Sequence, residues 1–166
     1  MPCPNSSRGM KIEHFTPRAV DPRKMYDWDN LLGVCGGLHV WQGEMISSCD
    51  ASRPEGSLLF VHPAHDPPPE TVITPDRQGR LSAANANAES DLERLNLRND
   101  LLNFNRAEVV EHLRLRLKRD DSVSNIRKLL KTANSPPLPP YSFVAVWYLN
   151  LKLRARLARD SRKSAS

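Results

Sequence analysis

One change of hydrophobic period, near residue 87, divides this chain of 166 residues. Upstream, apolar residues come in short alternating runs cut by proline and glycine, as in brief half-buried strands joined by turns. Downstream, leucine and valine recur at the spacing of one helical face. Fourteen prolines against seven glycines make the connections stiff and extended. The expected class is α+β: residues 1–84 form a small strand-bearing core with a hairpin extension, and residues 85–166 form a basic helical region.

Within the first part, KIEHFT (11–16) alternates as a strand does, and Pro17 ends it. Residues 17–27 read as a loop. Trp28, Leu31, Leu32 and Val34 gather around Asn30, with Gly33, Gly36 and Gly37 marking tight backbone. SLLFVH (57–62) is the clearest strand, and residues 70–83 predict a hairpin turning between Pro75 and Gly79. Leu92, Leu95, Leu97 and Leu101 open the helical part, which Asn96 and Asn99 weaken. A firmer helix is predicted over 104–119, with Asn105 as N-cap and Val109, Val110, Leu113 and Leu117 as its apolar stripe. Another runs from Ser122 to Lys131, capped by Ser122 or Ser124; SPPLPPY (135–141) is an extended linker, and a last helix covers 142–159. Trp28, Trp41 and Trp147 are expected in the core. His62 and His65 are expected as loop histidines rather than as a second metal site.

The formal net charge of +5 favours a polyanionic partner, and lysine and arginine concentrate in 106–131 and 152–163. No apolar run approaches the ~20 residues of a membrane-spanning helix. The start, MPCPNSSRGMK, lacks the apolar centre of a secretion signal. An odd count of three cysteines suits thiols or metal ligands in an intracellular chain better than a disulfide framework, so the expected location is cytoplasmic.

Chemistry-bearing side chains concentrate in 11–53. Phosphodiester cleavage needs an activated water, a neutralised phosphate and a stabilised leaving oxygen. Glu13 and Asp50 offer the hard oxygen ligands that Mg²⁺ or Mn²⁺ takes while keeping several waters. Imidazole titrates near neutrality, which suits His14 to take a proton from water, and the Asn30 amide offers an oxygen to steady its ring. Adjacent strand residues face opposite ways. Glu13 and His14 therefore share a site only where the strand twists or ends, and Pro17 supplies an ending.

These residues stand in an order that resembles the HNH nuclease superfamily: Ile12-Glu13-His14-Phe15 before Pro17 and Arg18, then Tyr26-x-Trp28-x-Asn30-Leu31, Cys49-Asp50-x-x-Arg53, and Leu95-Asn96-Leu97 followed by Arg106. The nearer resemblance is to the HNH endonucleases found beside retrons and with ATPase partners in bacterial anti-phage systems, and it covers about 11–117. It implies a ββα-metal (His-Me finger) core that hydrolyses DNA with Mg²⁺ or Mn²⁺. It also implies His14 as general base, Glu13 and Asp50 as metal ligands, and Asn30 as orienting residue. DNA and an ATPase are the implied partners. Many relatives carry Asp where Glu13 stands, and the last ligand is His or Asn in other branches, which makes His39 the alternative to Asp50.

On this reading Arg18 and Arg53 clamp neighbouring phosphates, and Arg114, Arg116 and Lys118 contact the nucleic-acid backbone. Relatives also hold a structural Zn²⁺ through cysteine pairs; here Cys3, Cys35 and Cys49 would be its ligands. Cys3-Pro-Asn-Ser6 looks like such a pair with its second cysteine lost, either in a degenerate knuckle or in a chain that begins downstream of the usual start. The alternative function is a catalytically decayed HNH-like protein that binds DNA or an ATPase. A transcription-type DNA binder ranks last, for want of helix-turn-helix spacing.

Overall fold

Strand β1 (Lys11–His14) pairs antiparallel with β2 (Leu31–Val34), Lys11 opposite Val34 and His14 opposite Leu31, in the computed structural model of the protein, which describes residues 10–65 and 68–164. A second antiparallel pair follows at once: β3 (Leu38–Trp41) and β4 (Glu44–Ser47). Its two-residue turn, Gln42-Gly43, has φ of 50° and 85°, the left-handed pair that tight hairpins favour. Sequence patterning gave β2 only as part of an apolar cluster around Asn30 and did not show β3 or β4, because four-residue strands are too short for alternation to register.

A 3-10 turn (Cys49–Ser52) comes next, and then one helical turn, α1 (Pro69–Val72). The expected hairpin is present as β5 (Ile73–Pro75) and β6 (Leu81–Ala83), but shorter at its start. Pro69 at the first helical position sets a helical φ there and turns 69–72 away from the ladder. Helix α2 (Ala86–Arg94) begins at Asn85, whose side chain accepts the Ala88 N–H at 2.9 Å.

The segment 57–62, expected as the clearest strand, has no strand partner among the described residues. Its burial still alternates: Leu59 and Val61 are half-buried, while Leu58 and Phe60 are exposed. The difference lies in where its backbone bonds go. The Phe60 and Val61 N–H groups donate to Asp91 Oδ2 of α2 at 2.9 and 2.7 Å, and Arg94 of the same helix donates to the Leu58 carbonyl. Two helix side chains thus do what a neighbouring strand would have done.

The chain divides into two compact units. One is built from the chain up to Thr74 with Leu81–Leu102, the other from Pro75–Arg80 with the chain from Asn103 on. Helix α3 (Asp100–Arg119) starts earlier than sequence suggested. Asn99, not Asn105, caps it, accepting the Leu102 N–H at 3.0 Å, while Asn105 lies inside the helix and donates to the Tyr141 hydroxyl. The second unit is helical, completed by α4 (Val123–Asn134) and α5 (Ser142–Ser164). Ser122 caps α4 through the Asn125 N–H at 3.2 Å. Val110, Leu113 and Leu117 of α3 pack with Ile126 and Leu129 of α4 and with Val144, Tyr148 and Leu149 of α5, as the predicted stripe requires. Trp147 packs against this core. The chain is therefore α+β, and among the described residues no helix is long and apolar enough to cross a membrane.

Gly37 fixes how the first unit closes. Its φ is +67°, its carbonyl accepts the Ser48 N–H at 2.7 Å, and a Cβ there would lie 2.1 Å from the Ser48 carbonyl oxygen. Gly37→Ala should therefore lose more than the ~1–2 kcal/mol of left-handed strain alone. Gly43→Ala, at φ +85° with nothing within 4 Å, should lose only that strain. Denaturant midpoints compared at unchanged slope measure the difference.

Candidate functional site

Lys11 and Glu13 are two residues apart on β1 and so share a face. Lys11 Nζ lies 3.1 Å from Glu13 Oε1 and 2.7 Å from Asp50 Oδ2. One ammonium thus sits between two carboxylates that are far apart in sequence. Its pKa is raised, chiefly by the hydrogen bond to Asp50, against desolvation and with help from Glu13. The resemblance had singled out both carboxylates but not Lys11. Its signal was the i, i+2 spacing to Glu13 on an expected strand.

Asp50 is placed by the end of α2. The last carbonyls of a helix have no partner within it. Here the Leu95 carbonyl accepts the Cys49 N–H at 2.7 Å and the Arg94 carbonyl accepts the Ser52 hydroxyl at 3.1 Å. Asn96, with φ 45°, turns the chain off the helix, and its side chain donates to the Ser47 carbonyl at 2.8 Å. The Leu95-Asn96-Leu97 segment therefore grips the turn that carries Asp50.

His14 Nε2 is 2.9 Å from the Met25 carbonyl oxygen. A carbonyl only accepts, so Nε2 carries a proton, and Nδ1 is the nitrogen with a lone pair in the neutral ring. Asn30 is buried, but its amide is committed elsewhere: Oδ1 accepts the Thr16 N–H at 2.7 Å, and Nδ2 donates to the Thr16 and Lys24 carbonyls. It pins the two ends of the loop that presents the Met25 carbonyl, so it bears on the imidazole through backbone. Trp28, expected in the core, is 83% exposed, and Tyr26 is 85% exposed. In that 3-10 turn (Trp28–Asn30) the buried group is Asn30, whose amide satisfies backbone that an indole could not.

Arg53 is half-buried and makes four hydrogen bonds, to the carbonyls of His14 (2.8 Å), Phe15 (2.7 Å) and twice Ser57. Burial lowers its pKa, and Asp50 and Glu13 oppose that shift. It ties the end of β1 to the chain beyond the Asp50 turn. Glu13, His14, Arg18, Asp50 and Arg53 all line one open cavity of about 420 Å³, and Arg18 is exposed there. Glu13, His14, Asp50 and Arg53 also line a second, apolar cavity of about 250 Å³.

The other expected site residues lie elsewhere. His39 is 2% exposed on β3, with Nε2 2.9 Å from Ser48 Oγ, and lines neither cavity. Asp50, not His39, shares the ammonium with Glu13. Cys35 is buried and Cys49 half-buried, while Cys3 lies outside the described residues. Among the described residues no three His, Cys, Asp or Glu side chains group around one ion. In the second unit Arg114 is paired with Glu111, and Arg116 and Lys118 are exposed on α3. His62 stacks on His65 at 3.7 Å between ring centroids and meets the edge of Phe15 at 4.6 Å.

The sequence matches no protein-family model and no curated protein.

Two pH-dependent outcomes follow. Desolvation first, and then His65, lower the pKa of His62 from 6.5. Its neutral ring therefore contributes stability that is full above the unfolded value and is lost as pH falls through the folded one. An NMR titration of His62 should give a midpoint below 6.5, and His65→Ala should move it upward. Lys11 behaves oppositely: its raised pKa gives a contribution present below 10.5 and lost as pH rises through the folded value. Lys11→Met should therefore destabilise at neutral pH, by at most about 1 kcal/mol for so exposed a group. The gap to wild type in denaturant unfolding should close in strong alkali.

Proposed function

We propose that this chain is a metal-dependent endonuclease of the HNH type that hydrolyses DNA phosphodiester bonds in bacterial anti-phage defence, with a ββα-metal core in its first unit. One observation carries the reading: a single cationic group is held between Glu13 and Asp50 on the wall that also bears His14. Two carboxylates that share one cation are the donor set of a hard ion that keeps most of its waters and takes phosphate oxygens as further ligands. Glu13 and Asp50 fit such an ion, and Lys11 competes for its place. When bound, Mg²⁺ or Mn²⁺ would neutralise the phosphate and stabilise the departing oxygen.

The chain's own residues supply the rest. His14, its Nε2–H held by the Met25 carbonyl, presents Nδ1 to take the proton from a water as that water attacks phosphorus. Arg53 fixes the His14 and Phe15 carbonyls, so its part is positioning rather than phosphate clamping. Arg18 faces the open cavity and is the cation placed to meet a phosphate there. Exposed Tyr26 and Trp28, on the loop pinned by Asn30, offer faces on which bases stack. Exposed Arg116 and Lys118 would add sequence-independent phosphate contacts.

A second reading, a decayed HNH-like scaffold that binds DNA or an ATPase partner, draws on the same ammonium. If Lys11 is a permanent counter-ion, the carboxylates need no metal. Mn²⁺ titration followed by electron paramagnetic resonance separates the two. A working site binds Mn²⁺, loses it in Glu13→Gln and binds it more tightly in Lys11→Met; a decayed one binds none in any form. With plasmid DNA and Mg²⁺ or Mn²⁺, His14→Ala should cut at least ~100-fold more slowly than wild type, the usual worth of a general base. Equal cleavage by the two would remove His14 from the mechanism.

A further inference from the structure

Charge is divided unevenly between the two units. Sixteen of the 24 Lys and Arg residues fall in the second unit against six of the 19 Asp and Glu, a net +10, which leaves −5 on the first. On two helices of the second unit, cations meet acids. Arg114 of α3 pairs with Glu111, and Arg156 and Arg159 of α5 pair with Asp121, Arg156 also with Asp160. Helix α4 differs: its sequence, VSNIRKLLKTAN, holds Arg127, Lys128 and Lys131 and no acid. All three are exposed, and among the described residues none of them enters an ion pair. Ile126, Leu129 and Ala133 turn the other side of the helix into the core. At 3.6 residues per turn, Arg127, Lys131 and Lys128 lie within about 100° of arc, opposite that side. Arg116, Lys118 and Arg119, at the end of α3, spread over about 160°. The cations of α4 thus form one face, and those of α3 do not.

We propose that the exposed face of α4 is the surface by which this chain grips the phosphate backbone of duplex DNA. This role rests on the reading of DNA as the substrate and needs no hydrolytic step. A DNA duplex offers one negative charge per ~1.7 Å of its axis. Three cations spread over about 6 Å of helix axis meet such a row side by side. Two other anionic partners fit the face less well. A helix that lies on a membrane needs an exposed apolar stripe, and a protein interface needs an apolar or aromatic anchor. Helix α4 has no exposed large hydrophobic side chain, because its apolar stripe lies in the core. Contacts to phosphate carry no sequence information, so the face holds DNA without selecting where.

The full chain is titrated against short labelled DNA duplexes by fluorescence anisotropy in EDTA, where no divalent ion supports cleavage. Loss of the nuclease reading therefore leaves this result intact, and loss of this face leaves cleavage to other contacts. Wild type should bind duplexes of unrelated sequence alike, and more weakly as salt rises. The triple variant Arg127→Gln, Lys128→Gln and Lys131→Gln should bind at least ~10-fold more weakly at low salt. It should also lower the slope of log affinity against log salt by about 2–3, one contact for each cation. The matching α3 variant, Arg116→Gln, Lys118→Gln and Arg119→Gln, should lose less. Arg127→Lys with Lys128→Arg and Lys131→Arg keeps the charge and should bind as wild type does. Every substituted side chain is exposed, so unfolding midpoints should match wild type. No salt-dependent duplex binding, unchanged binding in the α4 variant, an equal loss in the α3 variant, or capture on phosphatidylserine vesicles without duplex binding would overturn the assignment.

Discussion

The first unit depends on the way one helix ends. Helix α2 stops at Arg94, and its terminal carbonyls find their donors outside the helix, in the Cys49 amide and the Ser52 hydroxyl. Cys49 sits at φ 54°, a cost for a residue with a side chain, and this grip offsets it. Gly37 closes the other side of the same turn, where only a glycine leaves room for the Ser48 carbonyl. Asp50 is thus fixed from both sides before any electrostatic pairing is considered. The pairing with Lys11 then has a defined geometry, because one partner is on a strand and the other on a turn that cannot swing.

That geometry sets the electrostatic character of the site. Two half-buried carboxylates aimed at one point repel, and a cation between them relieves that repulsion. Lys11 supplies it, covalently tethered and two residues from Glu13. A tethered ammonium has a high local concentration but donates along only three directions and ligates nothing beyond the carboxylates. A divalent ion brings more charge and further coordination positions. The same acid pair thus serves a structural counter-ion or a metal, and the balance rests on how tightly Lys11 is held rather than on the identity of the acids.

The sequence made some of this legible, and physical reasons account for the rest. The α+β class, the apolar stripe of α3, the Ser122 cap and the hairpin turning between Pro75 and Gly79 could all be read from residue types and spacing, whereas the pairing of Glu13 with Asp50 was only what the family resemblance implied. The pairing of β1 with β2 could not, because strands of four residues carry almost no periodic signal. Residues 57–62 misled for the opposite reason. Alternation reports which side chains face inward, not what satisfies the backbone, and Asp91 and Arg94 satisfy it without a ladder. Asn30 was legible as a key residue but not in its detail, since an amide that serves backbone and one that serves an imidazole look alike in sequence.

Asp91 shows how a fold can supply more polar capacity than it uses. Two N–H groups on a strand-like segment need one acceptor oxygen between them, and Oδ2 meets both. An asparagine, or a serine on a longer reach, would meet the same need without adding charge to an apolar interior. A carboxylate brings a second oxygen, and Asp91 Oδ1 is buried with no hydrogen-bond partner among the described residues. A third strand in place of the side chain would have satisfied those N–H groups with backbone. The charge of Asp91 also opposes the burial that lowers the Arg53 pKa, and so supports the guanidinium that holds the end of β1.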